Sequence, residues 1–194
     1  MGLIGGCLFL LVTIAFLAAI WAIWRYNNLV YLKNQVANAW KQIDVQLKRR
    51  HDLIPNLIAS VKGEMQFEQD TLEKVIAARN SAVAARGVAD TAEKENQLTQ
   101  TLSRLFALAE NYPNLKANES VRTLMEELTS TENKIGFARQ FYNDLATRFN
   151  TAQQIFPDSF IAQMFKFQPV ELYQIQDTAE REVPKVDLSV RPQS

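Results

Sequence analysis

The residues that could carry out catalysis are few in this chain. It contains one histidine, His51, and one cysteine, Cys7, so a serine or cysteine mechanism would have to use His51 as its base. One cysteine forbids an intrachain disulfide, and one histidine with one cysteine cannot form a zinc site of the usual kind. The sequence also has no glycine-rich phosphate loop, no H-E-x-x-H and no G-x-S-x-G motif. We therefore expect no enzymatic activity, no cofactor and no metal site.

The surroundings of His51 indicate a solvated or inter-helix polar belt rather than a catalytic site. The histidine lies in the segment Lys48-Arg49-Arg50-His51-Asp52, whose side chains spread around more than one helical face, so only some can enter a single pocket. Further along, the segment Thr131-Glu132-Asn133 and then Arg139 fall on a long apolar seam. A buried polar group restricts which helix alignments are tolerated. These residues are therefore predicted to form polar pairs that fix the register of the helices.

The charges balance over the whole chain but not along it. The 194 residues carry 21 basic and 21 acidic side chains, so a nucleic-acid partner, which needs a basic stripe, is not expected. Residues 1–24 carry no charge. Residues 25–62 have seven basic and two acidic side chains, a net +5, and residues 63–194 have 14 basic and 19 acidic ones, a net −5. The basic segment can therefore be held electrostatically by the later part of the chain.

The uncharged segment, residues 1–24, is predicted to span a membrane. As a helix it would be roughly 36 Å long, enough to cross a hydrocarbon core of about 30 Å. A cleavable signal peptide is the rival interpretation, but no basic residue precedes the apolar run and no A-x-A-like end follows it. We expect an uncleaved anchor.

Aromatic and basic residues mark the end of this span. Amphipathic rings favour the headgroup level. The membrane-interface residues are predicted to be Trp21, Trp24, Arg25 and Tyr26. Arg25, Lys33 and Lys41 follow the span and no basic side chain precedes it, so the positive-inside rule places the rest of the chain in the cytoplasm and the N-terminus outside.

The remainder of the chain is predicted to be helical almost throughout. Neither glycine nor proline occurs between Gly6 and Pro55, so the anchor should continue into the first bundle helix as one rod, which Pro55 should kink or restart. A second helix is expected over about residues 64–86. A third should begin with Asp90 as its N-cap and run through Tyr112 until Pro113 ends it.

The fourth helix has the clearest pattern. Asn118 is its expected N-cap and Pro157 its end, and apolar residues between them repeat in steps of three and four, as in a coiled coil or bundle. The predicted fold is all-α: an N-terminal transmembrane helix continuing into a long antiparallel four-helix bundle, with an extended C-terminal tail. The expected division is an anchor at 1–24, a bundle at 25–157 and a short helix with the tail at 158–194.

The tail has a different period from the bundle. Val186, Leu188 and Val190 alternate with polar residues, which is typical of a strand, but the chain offers no second strand to pair with it. Two interpretations stay open. The tail lies extended on the bundle, or it pairs by strand addition with a partner or another copy.

Short segments spread in order over most of residues 25–188 carry a family resemblance. They are Gln46–Leu57, Val61–Gly63, Ala78-Arg79, Leu115–Glu119, Thr131–Ile135, Ala138-Arg139, Tyr142-Asn143, Phe149-Asn150, Phe156-Pro157 and Val183–Asp187. In this order they resemble the LemA family of bacterial membrane proteins. The resemblance singles out a set of family-signature or interaction candidates, and both a structural role and a contact surface stay open for the signature segment. The candidates are Arg49, Arg50, Asp52, Pro55, Asn56, Arg79, Glu132, Asn133, Arg139, Tyr142 and Asn143.

The resemblance implies a single-pass inner-membrane protein with an N-terminal anchor and a long antiparallel helical bundle. Relatives are associated with membrane remodelling in magnetosome formation, and family members are often encoded beside a membrane metalloprotease or a small stress-related membrane protein. We therefore expect a non-enzymatic protein that contacts the lipid bilayer, forms a homo-oligomer and acts as a scaffold in envelope maintenance or membrane shaping. The alternative is an adaptor or regulator of a membrane quality-control metalloprotease or another envelope protein.

Overall fold

The computed structural model describes residues 2–65 and 68–174, and these residues form six helices. The helices are α1 (Gly2–Val61), α2 (Gln69–Ala84), α3 (Gly87–Ala109), α4 (Pro113–Ala117), α5 (Glu119–Ala152) and α6 (Asp158–Met164). No β-strand occurs in this part of the chain. The predicted all-α class is confirmed. The strand-like residues Val186, Leu188 and Val190 lie outside the described residues.

Helix α1 joins the apolar N-terminal segment to the bundle without a break. It is 60 residues long and continues through Pro55 to Val61, so the predicted rod is confirmed and the predicted restart at Pro55 is not found. Its first part is long and apolar enough to cross a membrane, and its side chains from Leu8 to Ile20 pack against nothing. Such a helix is consistent with a single-pass membrane protein.

Helices α1 and α5 form the centre of the bundle and run antiparallel. Near the apolar segment, Val36 and Ile43 pack with Tyr142 and Phe149. Towards the far end, Ile54 and its neighbours pack with the first part of α5. The α2–α3 hairpin covers this far half, burying the side chains Leu72, Val75, Leu98, Leu102 and Leu105 in the same core.

The helix ends follow local chemistry, with several differences from expectation. Asn118 caps α5 as predicted, since its side chain accepts from the backbone N–H groups of Ser120 and Val121. Helix α3 instead begins at Gly87, where φ is +78°, and Asp90 is not its N-cap. The Asp90 carboxylate reaches back 2.8 Å to the backbone N–H of Arg86, so it satisfies a free donor from inside the helix.

The other differences concern α2, the ends of α3 and α5, and Pro113. Helix α5 ends at Ala152, before the expected Pro157. Helix α2 begins at Gln69, five residues later than expected, because a turn follows α1 and places Met65 in the core. Helix α3 ends at Ala109, before the expected Tyr112. Pro113 begins the short helix α4 as its first residue, a position that needs no backbone N–H.

The described part of the tail lies extended along the bundle. After α6, residues 167–174, which we call the strap, run beside α1 and α5 without regular secondary structure. The part of the core that α1 and α5 form near the apolar segment is contacted by Phe167, Val170, Leu172 and Tyr173 of the strap. The strap therefore extends the layer formed by α3 towards the apolar end of α1.

Candidate functional site

The main polar feature of the bundle is a guanidinium buried between three helices. Arg50 of α1 is fully buried and pairs with the carboxylates of Glu95 on α3 and Glu132 on α5. It also donates to the Thr99 hydroxyl at 2.9 Å and to the Glu95 carbonyl at 3.2 Å. A buried charge is tolerated only when it is paired and hydrogen-bonded. Arg50 therefore joins three helices at one height, because α1 carries the arginine and α3 and α5 supply its partners.

Glu95 is the second centre of this polar network. Its side chain is fully buried, and its second carboxylate oxygen accepts a 2.8 Å hydrogen bond from Nε2 of His51. Burial opposes ionisation of Glu95, but the hydrogen bond from His51 and the charge of Arg50 together outweigh it and hold the pKa of this carboxyl below its ordinary value. His51 is thus engaged as a donor to a buried carboxylate.

A further arginine compensates for the proline in α1. Pro55 has no N–H, so the carbonyl of His51, four residues earlier, loses its helical partner. Nε of Arg79, on α2, donates to that carbonyl at 3.2 Å. The helix continues through the proline, and its free carbonyl becomes a point of attachment for α2.

Two asparagines of α5 hold the backbone of the strap. The Asn143 side chain accepts from the N–H of Tyr173 at 2.8 Å and donates to its carbonyl at 2.9 Å. Asn150 does the same for Val170, at 2.9 and 2.8 Å. The asparagines are seven residues apart, about 10.5 Å along a helix, and three extended residues cover about 10 Å. The spacing on the helix therefore matches the spacing on the strap.

Aromatic and cationic contacts also hold the strap against α5. The Tyr142 hydroxyl donates to the carbonyl of Glu171 at 2.7 Å, and the Arg139 guanidinium lies over the Tyr173 ring at 4.6 Å. Trp40 packs against Tyr142, with ring centroids 5.4 Å apart. Burial raises the pKa of Tyr173 to about 12, although the nearby Arg139 charge opposes the shift. The phenol therefore stays neutral at physiological pH.

Both clusters have the chemistry of structural attachment. Arg50 is paired with Glu95 and Glu132, His51 is held by the Glu95 carboxylate, and the Tyr142 hydroxyl is bonded to the strap. Among residues 2–65 and 68–174, no group of three or more His, Cys, Asp or Glu side chains is placed to hold a metal ion. The geometry of both clusters positions helices and an extended segment relative to one another.

The sequence-selected candidates are divided between these clusters and the surface. Arg50, Glu132 and Arg79 meet in the first cluster, and Arg139, Tyr142 and Asn143 meet at the strap. Asp52, Pro55 and Asn56 of the signature segment are exposed on α1.

Arg49 and Asn133 lie outside both clusters. Arg49 forms an exposed ion pair with Glu127 at 3.7 Å. Asn133 lines a cavity of about 680 Å³ beside the N-terminal half of α5, together with Leu115 and Met125. Neither residue contacts Arg50 or the strap through a described hydrogen bond, so the candidate set does not form one surface.

The residues at the end of the apolar segment also come together. Arg25 lies 4.9 Å from the Trp24 ring and 5.8 Å from the Trp21 ring, and it pairs with Asp158 of α6 at 3.1 Å. Tyr26 packs on Phe165, with ring centroids 4.6 Å apart. Whether these groups lie at a membrane surface stays a prediction.

Four residues of the clusters were absent from the sequence-based candidates. They are Glu95, Thr99, Asn150 and Tyr173. Glu95 interrupts the apolar stripe of α3 between Ala92 and Leu98, and a lone acid on such a stripe is a usable signal for a buried pair. Asn150 follows Asn143 by seven residues, which is also visible in the sequence. Nothing local marks Thr99 or Tyr173.

The fold and its two clusters define a class: an all-α protein in which one apolar N-terminal helix continues into a bundle held by buried polar attachments. Comparison with known proteins gives the family. The model of the LemA family matches residues 39–188, and the chain belongs to this family. The resemblance stated from the sequence is confirmed.

Relatives of this chain carry two kinds of name. Protein LemA of Metamycoplasma hominis is 28% identical over 166 residues, covering 84% of this chain and 73% of the relative. Magnetosome protein MamQ 2 of Paramagnetospirillum magneticum is 22% identical over 187 residues, covering 83% and 68%. Magnetosome protein MamQ of Magnetospirillum gryphiswaldense is 21% identical over 175 residues, covering 77% and 64%.

Proposed function

We propose that this protein is a membrane-anchored, non-enzymatic scaffold that self-associates through its bundle and acts in maintaining or shaping the cell envelope. Residues 1–24 would anchor it in the bacterial inner membrane with the bundle in the cytoplasm. The family, the relatives named as magnetosome proteins and the apolar first part of α1 support membrane association. The engagement of His51, the one histidine of the chain, by the buried Glu95 carboxylate supports a role without catalysis.

The observation that carries the proposal is an uncovered apolar groove between α1 and α5. Val45, Phe137 and Phe141 line this groove, which encloses about 530 Å³, and the Phe137 ring is 74% exposed. The strap covers the opposite side of the same helix pair, since Arg139 and Asn143 point away from Phe137 and Phe141 on α5. Clustered exposed aromatic side chains are typical of protein interaction sites.

Anchoring favours a second copy as the occupant of this groove. Helix α1 is continuous from its apolar segment to Val61, so copies in one membrane present the groove at the same height and in the same orientation. A two-fold axis along the membrane normal brings two grooves together while both anchors stay in the bilayer. Lys41 and Lys134 flank the aromatic residues and would remain at a polar rim.

A photo-crosslinking amino acid placed at Phe137 of the full chain, in native membranes, tests this proposal. We expect a covalent dimer of the chain. The matched control is Val83 of α2, which is also apolar and about half exposed but lies outside the groove. In native mass spectrometry from mild detergent, the double variant Phe137→Ser, Phe141→Ser should shift the assembly towards monomer, and Val83→Ser should not.

The results separate the scaffold from the adaptor. A monomer at micromolar concentration, together with no self-adduct at position 137, would overturn self-association. If the adduct at position 137 instead contains a membrane metalloprotease and no second copy, the scaffold proposal is wrong and the adaptor replaces it.

A further inference from the structure

Helix α6 packs beside the last turns of the apolar segment. Ile161 and Ala162 of α6 are buried against Leu29, and Ala22 and Tyr26 pack on the same cluster. The contact with Ala22 places α6 at the height where the apolar segment ends. The far end of the bundle lies more than 30 residues further along α1.

The ion pair between α6 and α1 fixes this height. Arg25 pairs with Asp158, the first residue of α6, while its guanidinium lies against the ring of Trp24. Tyr26 packs on Phe165 just after α6. The helix is therefore attached to the turn of α1 that carries the aromatic residues.

Helix α6 also carries large apolar side chains that α1 does not cover. Phe160 and Met164 are one turn apart, and both lie on the side of the helix opposite the buried Ala162. Five large apolar side chains in and around α6 are each more than half exposed: Ile155, Phe156, Phe160, Met164 and Phe165. This is the largest grouping of exposed apolar residues that the described chain shows outside the first part of α1. Isolated exposed apolar residues are ordinary, but a cluster of this kind indicates a partner.

We propose that α6 and the turn before it form a second membrane contact, in which Phe156, Phe160 and Met164 insert between lipid headgroups beside the span. This inference rests on the proposed anchoring of residues 1–24. A bilayer is the occupant that the position selects, because the apolar cluster is continuous with the aromatic end of the apolar segment. Amphipathic segments with large apolar side chains bind in this boundary region.

Depth-dependent quenching on the full chain tests the inference. In a Cys7→Ser background, single cysteines replace Val12, Phe160 or Phe137 and carry an environment-sensitive fluorophore. The labelled proteins are placed in nanodiscs of phosphatidylcholine and phosphatidylglycerol containing lipids with a doxyl group on carbon 5 or carbon 12. Helical content by circular dichroism checks folding, and a label at Met164 supplies the same readout if Phe160→Cys fails to fold.

We expect the shallow doxyl lipid to quench the label at position 160 several-fold more than the label at position 137. The deep doxyl lipid should quench position 12 most strongly. If position 160 is quenched as weakly as position 137 while position 12 is quenched, the α6 contact is refuted and the anchor stands. If position 12 is not quenched either, the anchoring proposal fails first. A blue-shifted label at position 160 without doxyl quenching would show that a second copy covers α6, which also overturns the inference.

Discussion

Replacing Glu95 by glutamine gives the sharpest test of the buried network. The Glu95 and Arg50 side chains are both fully buried. Glu95→Gln keeps the shape of the side chain but removes the negative charge that faces the Arg50 guanidinium, which has no access to water. Breaking a buried ion pair from one side costs about 3–5 kcal/mol. Glu132, whose side chain is 33% exposed, still pairs with Arg50. We therefore expect the lower end of that range, about 3 kcal/mol.

Thermal unfolding of the full chain in mild detergent, followed by circular dichroism, measures this loss. For a chain of this size, about 3 kcal/mol corresponds to a Tm decrease of about 6–12 °C. The matched control is Glu127→Gln, which removes the partner of Arg49 from an exposed pair and should change stability by less than about 1 kcal/mol. Equal Tm values for the two variants would refute the assignment of Arg50 as a buried charge that depends on Glu95.

The same variant carries a pH dependence with a fixed sign. The pKa of Glu95 is lowered from its ordinary value of 4.5, so the folded state favours the ionised carboxyl. Its contribution to stability is complete above that value and is lost as the pH falls through the lowered pKa. The stability difference between the natural chain and Glu95→Gln should therefore be constant near neutral pH and shrink in acid. A difference that grows in acid would contradict this sign.

Two further predictions concern the strap and the proline. Asn143→Ala and Asn150→Ala each remove two hydrogen bonds to the strap. Hydrogen-exchange mass spectrometry should show amide exchange of residues 167–174 about 10- to 100-fold faster, with little change at the far end of the bundle. Unchanged exchange in the strap would contradict the role given to these two asparagines. Arg79→Met should lower the free energy of unfolding by about 1–2 kcal/mol. In a Pro55→Ala background the loss should be smaller, because the alanine N–H can bond the His51 carbonyl that Arg79 otherwise satisfies. Equal losses in the two backgrounds, measured by thermal unfolding, would contradict this compensation.

The heptad pattern of α5 predicted its buried face well. Val121, Leu128, Ile135, Tyr142 and Phe149, seven residues apart in turn, are all buried. Periodicity succeeds here because burial along one helix depends on which face meets the core, and the sequence of that helix determines the face. The continuous rod through α1 was predictable for the related reason that no helix breaker occurs before Pro55.

Partners across helices were less accessible to sequence reasoning. Arg50 was selected as part of the signature segment and Glu132 as a polar residue on an apolar seam, but Glu95, the other carboxylate that pairs with Arg50, lies on a third helix. Which residues of three helices share one height depends on loop lengths and packing, and local periodicity does not contain this information. The role of Pro113 was also missed, since a proline that ends one helix and a proline that begins another are equally compatible with a local reading.

Because α1 is unbroken, a change in the tilt of its apolar segment also tilts the bundle. From Trp24 to Val61 the helix extends roughly 55 Å at 1.5 Å per residue, with no hinge between the apolar segment and the bundle core. Spanning helices change tilt with the thickness of their bilayer, and a change of about 10° would move the far end of α1 sideways by roughly 10 Å. With residues 1–24 anchored as proposed, a difference of a few ångströms in membrane thickness would be converted into a displacement as wide as a helix.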